Sequence, residues 1–256
     1  MKTILLLGDI TGRSRVALRM LSAVLERAGH EVLMLPTALI SNTLNLGAHE
    51  ALDTTDYLLR SLDTWVKLGM HYDMAYIGYI TGLEQAQKLC AVADALRAKG
   101  VPVLLDPILG DNGKKYNSVS EGQVAGMRLL CAHADLITPN LTELCLLLGQ
   151  PFDPEASKAY VWELAHKTHA GVLATSAATV ALQTAMMGYE PKAEQGFAIR
   201  YDPVPGHRWG TGDLFTGLLM DGLLAGKPLR EAARIAGERA GEVQQRRVLF
   251  QSSQKT

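Results

Sequence analysis

Cysteine is scarce in this sequence, and its spacing excludes two kinds of scaffold. The chain contains only Cys90, Cys131 and Cys145, which are widely separated, odd in number and form no C-x-x-C pair. A disulfide framework and a zinc ribbon are therefore excluded. So low a cysteine content is typical of a protein from a reducing cytoplasm.

Long apolar runs and an excess of one charge are also missing. No stretch approaches the ~20 apolar residues that a membrane span needs, and the short apolar run at the start ends at Asp9, which argues against a signal peptide. The formal net charge is -1, so a general nucleic-acid binder is disfavoured. We therefore expect neither a membrane nor a nucleic acid as a partner.

Several well-known catalytic motifs are absent as well. The chain contains no G-x-x-x-x-G-K-[ST] loop, no G-x-G-x-x-G after its first predicted strand, and neither G-x-S-x-G nor H-E-x-x-H. P-loop kinases, dinucleotide enzymes and the hydrolases that carry the last two motifs are thereby disfavoured.

What the sequence does contain is a regular alternation of short apolar runs and segments of helical periodicity. This alternation predicts right-handed βαβ crossovers and a mostly parallel sheet. Two later strands without a helix between them predict an antiparallel edge. The predicted strands are 2–7, 31–35 (ended by Pro36), 74–77, 101–105, 135–137, 171–174, 179–185 and 196–201. The predicted helices are 15–28, 54–68, 83–98, 121–132, 142–148, 155–168, 211–224 and 229–245.

Ligands of such sheets bind at the carboxyl ends of the strands, and one glycine-rich helix start is the strongest candidate. Gly210, Thr211 and Gly212 precede an apolar helix, and Asp213 follows them directly. Amides and the dipole at a helix N-terminus favour an anion such as a phosphoryl group, and a carboxylate there can accept the proton of an attacking hydroxyl. The alternative is a simple glycine turn with a helix-start carboxylate.

Three further predicted strand ends carry polar residues. Asp106, with a second carboxylate five residues later, fits water-mediated Mg²⁺ binding or two loop turns. Asn140 and Glu143 favour a helix cap, with a metal–phosphate cluster as the alternative. The hydroxyls of Thr175 and Ser176 either bind phosphate or start a turn.

In this order, the motifs resemble those of the ribokinase-like superfamily: DPILGD at 106–111, TPNLTE at 138–143, TS at 175–176 and GTGD at 210–213. LISN at 39–42, GY at 78–79 and Tyr116 narrow the resemblance to the pyridoxal kinase branch. The resemblance covers roughly residues 31–226. It implies a three-layer α/β/α fold with a mostly parallel sheet and an antiparallel edge, in one kinase domain over residues 1–256.

The resemblance also implies an activity, namely transfer of the γ-phosphoryl group of ATP to the hydroxymethyl group of a B6 vitamer (pyridoxal, pyridoxine or pyridoxamine). Asp213 would be the general base, and the amides of Gly210, Thr211 and Gly212 would form the anion hole. Mg²⁺, in many members K⁺, a homodimer and a place in vitamin B6 salvage follow from the same resemblance.

The same motifs imply roles for the other site residues. Asp106 and Glu143 would lie at the Mg²⁺–phosphate region, with Thr138 and Asn140 beside them. Thr175, Ser176 and Tyr116 would contact the nucleotide, and Asp9, Ser41 and Tyr79 the vitamer. Lys114 either closes over the nucleotide phosphates or is a solvated lysine.

Two segments depart from the pattern of this branch, and both fall at the predicted vitamer pocket. Residues 8–15 read GDITGRSR in place of a Ser-His pair and a glycine-rich loop, so that Asp9 stands where a substrate-contacting serine is usual. Thr43 and Leu44 stand where His-Thr is frequent. Two alternatives therefore stay open: a kinase of another hydroxymethyl substrate (hydroxymethylpyrimidine or a sugar), and a catalytically silent paralogue that binds a vitamer or a nucleotide.

Overall fold

The computed structural model describes residues 1–13, 16–43, 48–179, 181, 183–204 and 210–252. Ser14, Arg15 and Leu44, on which parts of the sequence interpretation fall, lie outside these residues. The strands are β1 (Thr3–Thr11), β2 (Glu31–Ile40), β3 (Ala51–Asp53), β4 (Met74–Ile77), β5 (Val103–Leu105), β6 (Gly110–Asp111), β7 (Lys114–Lys115), β8 (Leu136–Ile137), β9 (Gly171–Ala178), β10 (Thr184–Glu190) and β11 (Gln195–Arg200).

The helices are α1 (Leu18–Arg27), α2 (Thr55–Lys67), α3 (Leu83–Ala98), α4 (Glu121–Cys131), α5 (Leu141–Leu148), α6 (Ser157–Thr168), α7 (Thr211–Leu224) and α8 (Leu229–Ser252). The predicted spans of α3 and α7 are confirmed to the residue. Within the described ranges, no helix is both long and apolar enough to cross a membrane.

A nine-stranded sheet carries the fold, with the order β11-β10-β9-β8-β5-β4-β1-β2-β3. The strands from β9 to β2 in this order run parallel to their neighbours, whereas β10, β11 and β3 are antiparallel additions. The predicted α/β fold with a mostly parallel sheet is thus confirmed. Both edges of the sheet are antiparallel, because β3 adds an edge that the sequence analysis did not predict.

The sheet is buried on both faces. One apolar cluster contains Leu5 and Leu7 of β1 together with residues of α2, α3, α4, α5 and α6. The other contains Ile4 and Leu6 together with residues of α1, α7 and α8. Successive residues of a strand point to opposite faces, so the continuous apolar run of β1 fills both layers and explains why this strand shows no polar alternation.

The first two strands are longer than predicted. β1 ends at Thr11 and not at residue 7, so Asp9 lies inside the strand. β2 does not stop at Pro36 but continues to Ile40. At Pro36 the neighbour is β1 alone, because β3 pairs with residues 38–40, and a strand tolerates a residue without an N–H where one side has no partner.

A register shift follows Pro36. Gly8 pairs with Pro36 but Asp9 pairs with Ala38, which leaves Thr37 as an extra residue. The Thr37 carbonyl accepts hydrogen bonds from the Gln85 amide at 2.9 Å and from the Thr54 N–H at 3.3 Å. This irregularity in the sheet therefore anchors the starts of α2 and α3.

Two further predictions around residue 180 were wrong. β9 continues to Ala178, so Thr175 and Ser176 lie within a strand and do not start a turn. The next strand is β10, at Thr184–Glu190, and not residues 179–185. In addition, β6 and β7 form a small hairpin within the loop after β5. The bounds of these short strands follow from hydrogen bonding between strands, because short apolar runs do not define strand ends by themselves.

Gly126 of α4 allows this helix to pack closely against its neighbour. A Cβ at this position would lie 2.8 Å from the Ala86 Cβ and 2.8 Å from the Ile80 Cδ1. Because both neighbours are buried, we expect Gly126→Ala to lower the free energy of unfolding by about 1–3 kcal/mol. Chemical denaturation followed by circular dichroism measures this change.

Gly122 of the same helix provides the matched control. A Cβ at this position meets its nearest atom at 3.6 Å, and alanine favours a helix over glycine by up to about 1 kcal/mol. We expect Gly122→Ala to leave stability unchanged or slightly raised. Equal losses in the two variants would contradict the close-packing explanation.

Candidate active site

Asp213 lies in the first turn of α7 and links it to the start of α1. Its Oδ2 accepts a hydrogen bond from the Ala17 N–H at 2.8 Å, and Ala17 directly precedes α1 with φ 51° and ψ -137°. Non-glycine residues with positive φ are uncommon and frequently lie at functional sites. Burial raises the pKa of Asp213, and the Ala17 N–H lowers it.

The glycines before Asp213 shape the end of the helix. Gly210 has φ 78°, in the left-handed region that glycine adopts at low cost. The first helical hydrogen bond of α7 runs from the Leu214 N–H to the Gly210 carbonyl at 3.0 Å. The hydroxyl of Thr211 accepts a hydrogen bond from Gln244, and the Cα of Gly212 faces open space. Among the described residues, no atom lies within 4 Å of a Cβ placed at Gly212.

Asp106 follows β5 and is surrounded by hydroxyl groups. Its Oδ2 accepts a hydrogen bond from Thr216 Oγ1 at 3.3 Å, and the hydroxyls of Tyr76 and Thr138 also bond to it. Burial, followed by the charge of Asp213, raises the pKa of Asp106 to about 7. Asp106 and Asp213 therefore lie close enough for the charge of Asp213 to act on Asp106.

Asn140 and Glu143 form the predicted helix cap. The Asn140 Oδ1 accepts from the Glu143 N–H at 3.0 Å, and the Glu143 Oε2 accepts from the Asn140 N–H at 2.9 Å. Glu143 also reaches beyond the cap, because its Oε1 accepts from the Leu109 N–H at 3.2 Å. Burial, and then the charge of Asp106, hold the pKa of Glu143 well above its usual range. Glu143 therefore lies with Asp106 and Asp213 in one group of carboxyls, which we call the acidic cluster.

Asp9 and Tyr76 complete the cluster from the middle of the sheet. Burial, and then the charge of Asp213, raise the pKa of Asp9 to about 7. Tyr76 is 1% exposed, and its pKa is raised by burial and by nearby carboxylates, with Asp106 first among them. The sequence analysis missed Tyr76. A hydroxyl-bearing side chain in the otherwise apolar strand β4 was the available signal.

Glycine makes room for this tyrosine. A Cβ at Gly78 would lie 2.9 Å from the Tyr76 Cζ, closer than side-chain carbons approach each other. Gly78 thus has a packing role, in addition to the vitamer contact that the resemblance implies for Tyr79.

The hairpin β6–β7 contributes Lys114 and leads to Tyr116. Lys114 is exposed, and its neighbour Lys115 pairs with Glu121. Burial, and then the charge of Glu143, raise the pKa of Tyr116, which places its phenol near the acidic cluster. The nucleotide contacts predicted for Lys114 and Tyr116 stay predictions.

Thr175 and Ser176 lie beside the start of α5. The Thr175 N–H donates to the Pro139 carbonyl at 2.9 Å, and the Ser176 Oγ accepts from the Leu141 N–H at 3.4 Å. The TS and TPNLTE motifs are therefore neighbours in space, although their hydroxyls were expected to follow the strand.

The two predicted vitamer contacts Ser41 and Tyr79 have different environments. Ser41 is exposed, and its hydroxyl donates to Asn42 Oδ1 at 2.7 Å and accepts from the Glu50 N–H at 2.9 Å. Tyr79 is 5% exposed and packs in a small apolar cluster with Ala38 and Ile40. Only Tyr79 is thus fixed by packing.

A surface hollow of about 690 Å³ lies elsewhere, at the starts of α2 and α3. Asp53, Thr81 and Lys88 line part of it, and no predicted site residue does. It contributes nothing to the acidic cluster.

Comparison with known proteins identifies the family. The sequence profile of the phosphomethylpyrimidine kinase family matches residues 24–246. The chain is 31% identical over 221 residues to the pyridoxine/pyridoxal/pyridoxamine kinase of Bordetella bronchiseptica, with 81% of this chain and 76% of that protein aligned. The chain belongs to the pyridoxal kinase branch of the ribokinase-like superfamily. Pyridoxal kinases are phosphotransferases with an alcohol group as acceptor.

Solved structures of pyridoxal kinase relatives have the same fold. A Bacteroides thetaiotaomicron protein, provisionally named a phosphomethylpyrimidine kinase and crystallised with pyridoxal, is 32% identical with a TM-score of 0.84. The match covers 94% of this chain and 85% of that one. The pyridoxal kinase of Lactobacillus plantarum is 27% identical with a TM-score of 0.82, over 100% of this chain and 91% of that one.

The curated relatives differ in how much of their length is matched. The chain spans 58% of the length of a provisionally named pyridoxal kinase of Schizosaccharomyces pombe. The two are 28% identical, with 74% of this chain aligned. The chain spans about half of the corresponding proteins of a nematode and of budding yeast.

The raised pKa of Asp106 predicts a pH-dependent cost to stability. In the unfolded chain the carboxyl ionises near 3.8, whereas in the folded protein it ionises near 7. The folded state thus holds a proton that the unfolded state lacks between these values, and its stability falls as the pH rises through them. We expect Asp106→Asn to raise the Tm relative to the wild type by ~3 °C or more at pH 8, and by less at pH 5.

Thermal unfolding at both pH values measures this difference. Asp63→Asn, at an exposed position of α2, is the control, and we expect it to match the wild type at both. A Tm gain for Asp106→Asn that is the same at pH 5 and pH 8 would refute the titration argument.

Proposed function

We propose that this protein is an ATP-dependent kinase that phosphorylates the hydroxymethyl group of a B6 vitamer. The observation that carries the proposal is the position of Asp213, with its raised pKa, beside the glycine-rich start of α7. A carboxyl whose pKa is raised towards the working pH is suited to general base catalysis. Membership of the pyridoxal kinase branch and the pyridoxal-bound relative of 32% identity support the choice of acceptor.

In the proposed reaction, Asp213 takes the proton of the acceptor hydroxyl as the oxygen attacks the γ-phosphorus of ATP. A bond forms between this oxygen and phosphorus, and the bond from phosphorus to the bridging oxygen breaks, releasing ADP. The amides at Gly210, Thr211 and Gly212, together with the helix dipole, stabilise the charge on the phosphoryl oxygens. Such transfer depends mostly on positioning and charge stabilisation, which a base beside an anion site provides.

The acidic cluster fits a divalent cation that accompanies the nucleotide. Glu143 is buried and Asp106 is partly buried. Desolvation is the largest cause of their raised pKa values, followed by the charge of Asp213 at Asp106 and the charge of Asp106 at Glu143. Across the described ranges, no three His, Cys, Asp or Glu side chains group into a metal site. Mg²⁺ in kinases is usually held by one or two carboxylates together with phosphates and water, so Asp106 and Glu143 would hold it there. When bound, it would neutralise phosphate charge.

The other predicted contacts belong to the same proposal. Thr138 and Asn140 would lie beside the metal and the phosphates. Thr175, Ser176, Lys114 and Tyr116 would face the nucleotide, while Asp9, Ser41 and Tyr79 would face the vitamer. A requirement for K⁺, a homodimer and a role in vitamin B6 salvage are parts of the proposal that the family resemblance supports.

Replacing the base tests the proposal. With Mg-ATP and K⁺, we expect the wild type to release ADP with at least one B6 vitamer, and Asp213→Asn to lower kcat by about 10²–10⁴-fold, since a positioned base contributes that much. ADP release and vitamer phosphate are measured together.

Asp221→Asn removes the same charge from the same helix and serves as the control. Asp221 pairs with His30 at 3.0 Å, in the half of α7 away from the acidic cluster, so we expect its variant to keep wild-type turnover. Full activity in Asp213→Asn would exclude this carboxyl as the base.

The name of the matching family favours one second candidate. Because the profile is that of phosphomethylpyrimidine kinase, hydroxymethylpyrimidine belongs in the substrate panel beside pyridoxal, pyridoxine, pyridoxamine and simple sugars. Turnover of hydroxymethylpyrimidine alone would select this alternative. ATP or vitamer binding without turnover of any panel member would select the silent paralogue.

A further inference from the structure

The end of β1 places two buried polar side chains on one face of the sheet. Asp9 is 6% exposed and Thr11 is 2% exposed. They are two residues apart in a strand, so their side chains point to the same side. In β2, Ala38 and Ile40 pair with Asp9 and Thr11 in parallel register, and paired residues share a face.

That face carries an apolar and aromatic wall. Ala38, Ile40 and Tyr79 form a buried cluster of their own, separate from the two main cores, with Ile108 packed against it. Asp9 acts electrostatically on the Tyr79 phenol, so the carboxyl and the aromatic ring are near each other. A carboxyl beside a small apolar wall is an unusual combination unless a ligand joins them.

The two polar groups on this face have few partners in the protein. Among the described residues, the groups that act on the Asp9 carboxyl are its own N–H and the like charge of Asp213, and no cationic side chain pairs with it. Within the part of the chain that the structure describes, the buried Oγ1 atom of Thr11 has no hydrogen-bond partner. Most buried polar groups are hydrogen-bonded, so a carboxyl without a cationic partner beside an unsatisfied hydroxyl on one face indicates a missing polar ligand.

The chemistry of this face selects the kind of ligand. A carboxyl without a cationic partner, near a second carboxyl, attracts positive charge, the Thr11 hydroxyl accepts or donates a hydrogen bond, and the wall suits a flat ring. We propose that this site selects an acceptor whose aromatic ring carries a protonated amine, with the ammonium paired to Asp9. The inference rests on the proposed function. Among the vitamers it predicts preference for pyridoxamine over pyridoxine, which has a neutral hydroxymethyl group in place of the amine.

The test compares these two vitamers, which differ at that one group. We expect the wild type to show a kcat/KM at least tenfold higher for pyridoxamine, and Asp9→Asn to bring the ratio close to one. Asp9→Ser is a second variant in case the first fails to fold. Asp63→Asn, an exposed carboxylate of α2, is the control, and its ratio should equal that of the wild type.

Calorimetric binding of the two vitamers without nucleotide gives a readout independent of turnover. We expect the same order of affinity in the wild type and its loss in Asp9→Asn. Turnover of both vitamers without an Asp9-dependent preference would overturn the inference and leave the proposed function standing. Absence of turnover in the wild type would overturn the proposed function, and the inference would then stand or fall on the binding order, with equal or absent binding overturning it.

Discussion

The hydrogen bond from the Ala17 N–H to Asp213 is the contact on which the arrangement of the site depends. It joins the start of the helix that follows β1 to the start of the helix that follows the glycine motif, although the two residues are 196 positions apart in the chain. Because α1 and α7 pack on the same face of the sheet, this contact fixes Asp213 relative to β1. The uncommon backbone of Ala17 shows that the contact is maintained against a local conformational preference.

The acidic cluster illustrates how a functional site differs from an ordinary core. The charge of Asp213 acts on Asp9 and on Asp106, and the charge of Asp106 acts on Glu143, while no described cationic side chain contributes to these three shifts. Elsewhere in this fold, buried polar side chains such as Gln85 meet several partners. Unfavourable electrostatics are thus concentrated where the carboxyl ends of the strands meet, and a bound cation or amine would relieve them.

Much of the fold could be predicted from the sequence, because local signals and tertiary packing agree there. The glycine motif and the apolar spacing gave the bounds of α7, and Asn140 with Glu143 marked the start of α5. Prediction failed where tertiary pairing overrides local preference. Pro36 is tolerated because one side of β2 lacks a neighbour at that point, which no local pattern reveals. Tyr76 likewise became a member of the site only through its contact with Asp106, a residue from another strand.

The extra residue in β2 has a consequence for how the chain folds. In a regular parallel pair, a slip of two residues preserves which side chains face the core, so register is only weakly specified by hydrophobicity. Here such a slip would separate the Thr37 carbonyl from Gln85 and Thr54, which bond to it from the starts of α3 and α2. The irregularity thus fixes the register between β1 and β2. Asp9 and Thr11 face Ala38 and Ile40 in that register alone, so this wall of the site is set during assembly of the sheet, before any ligand arrives.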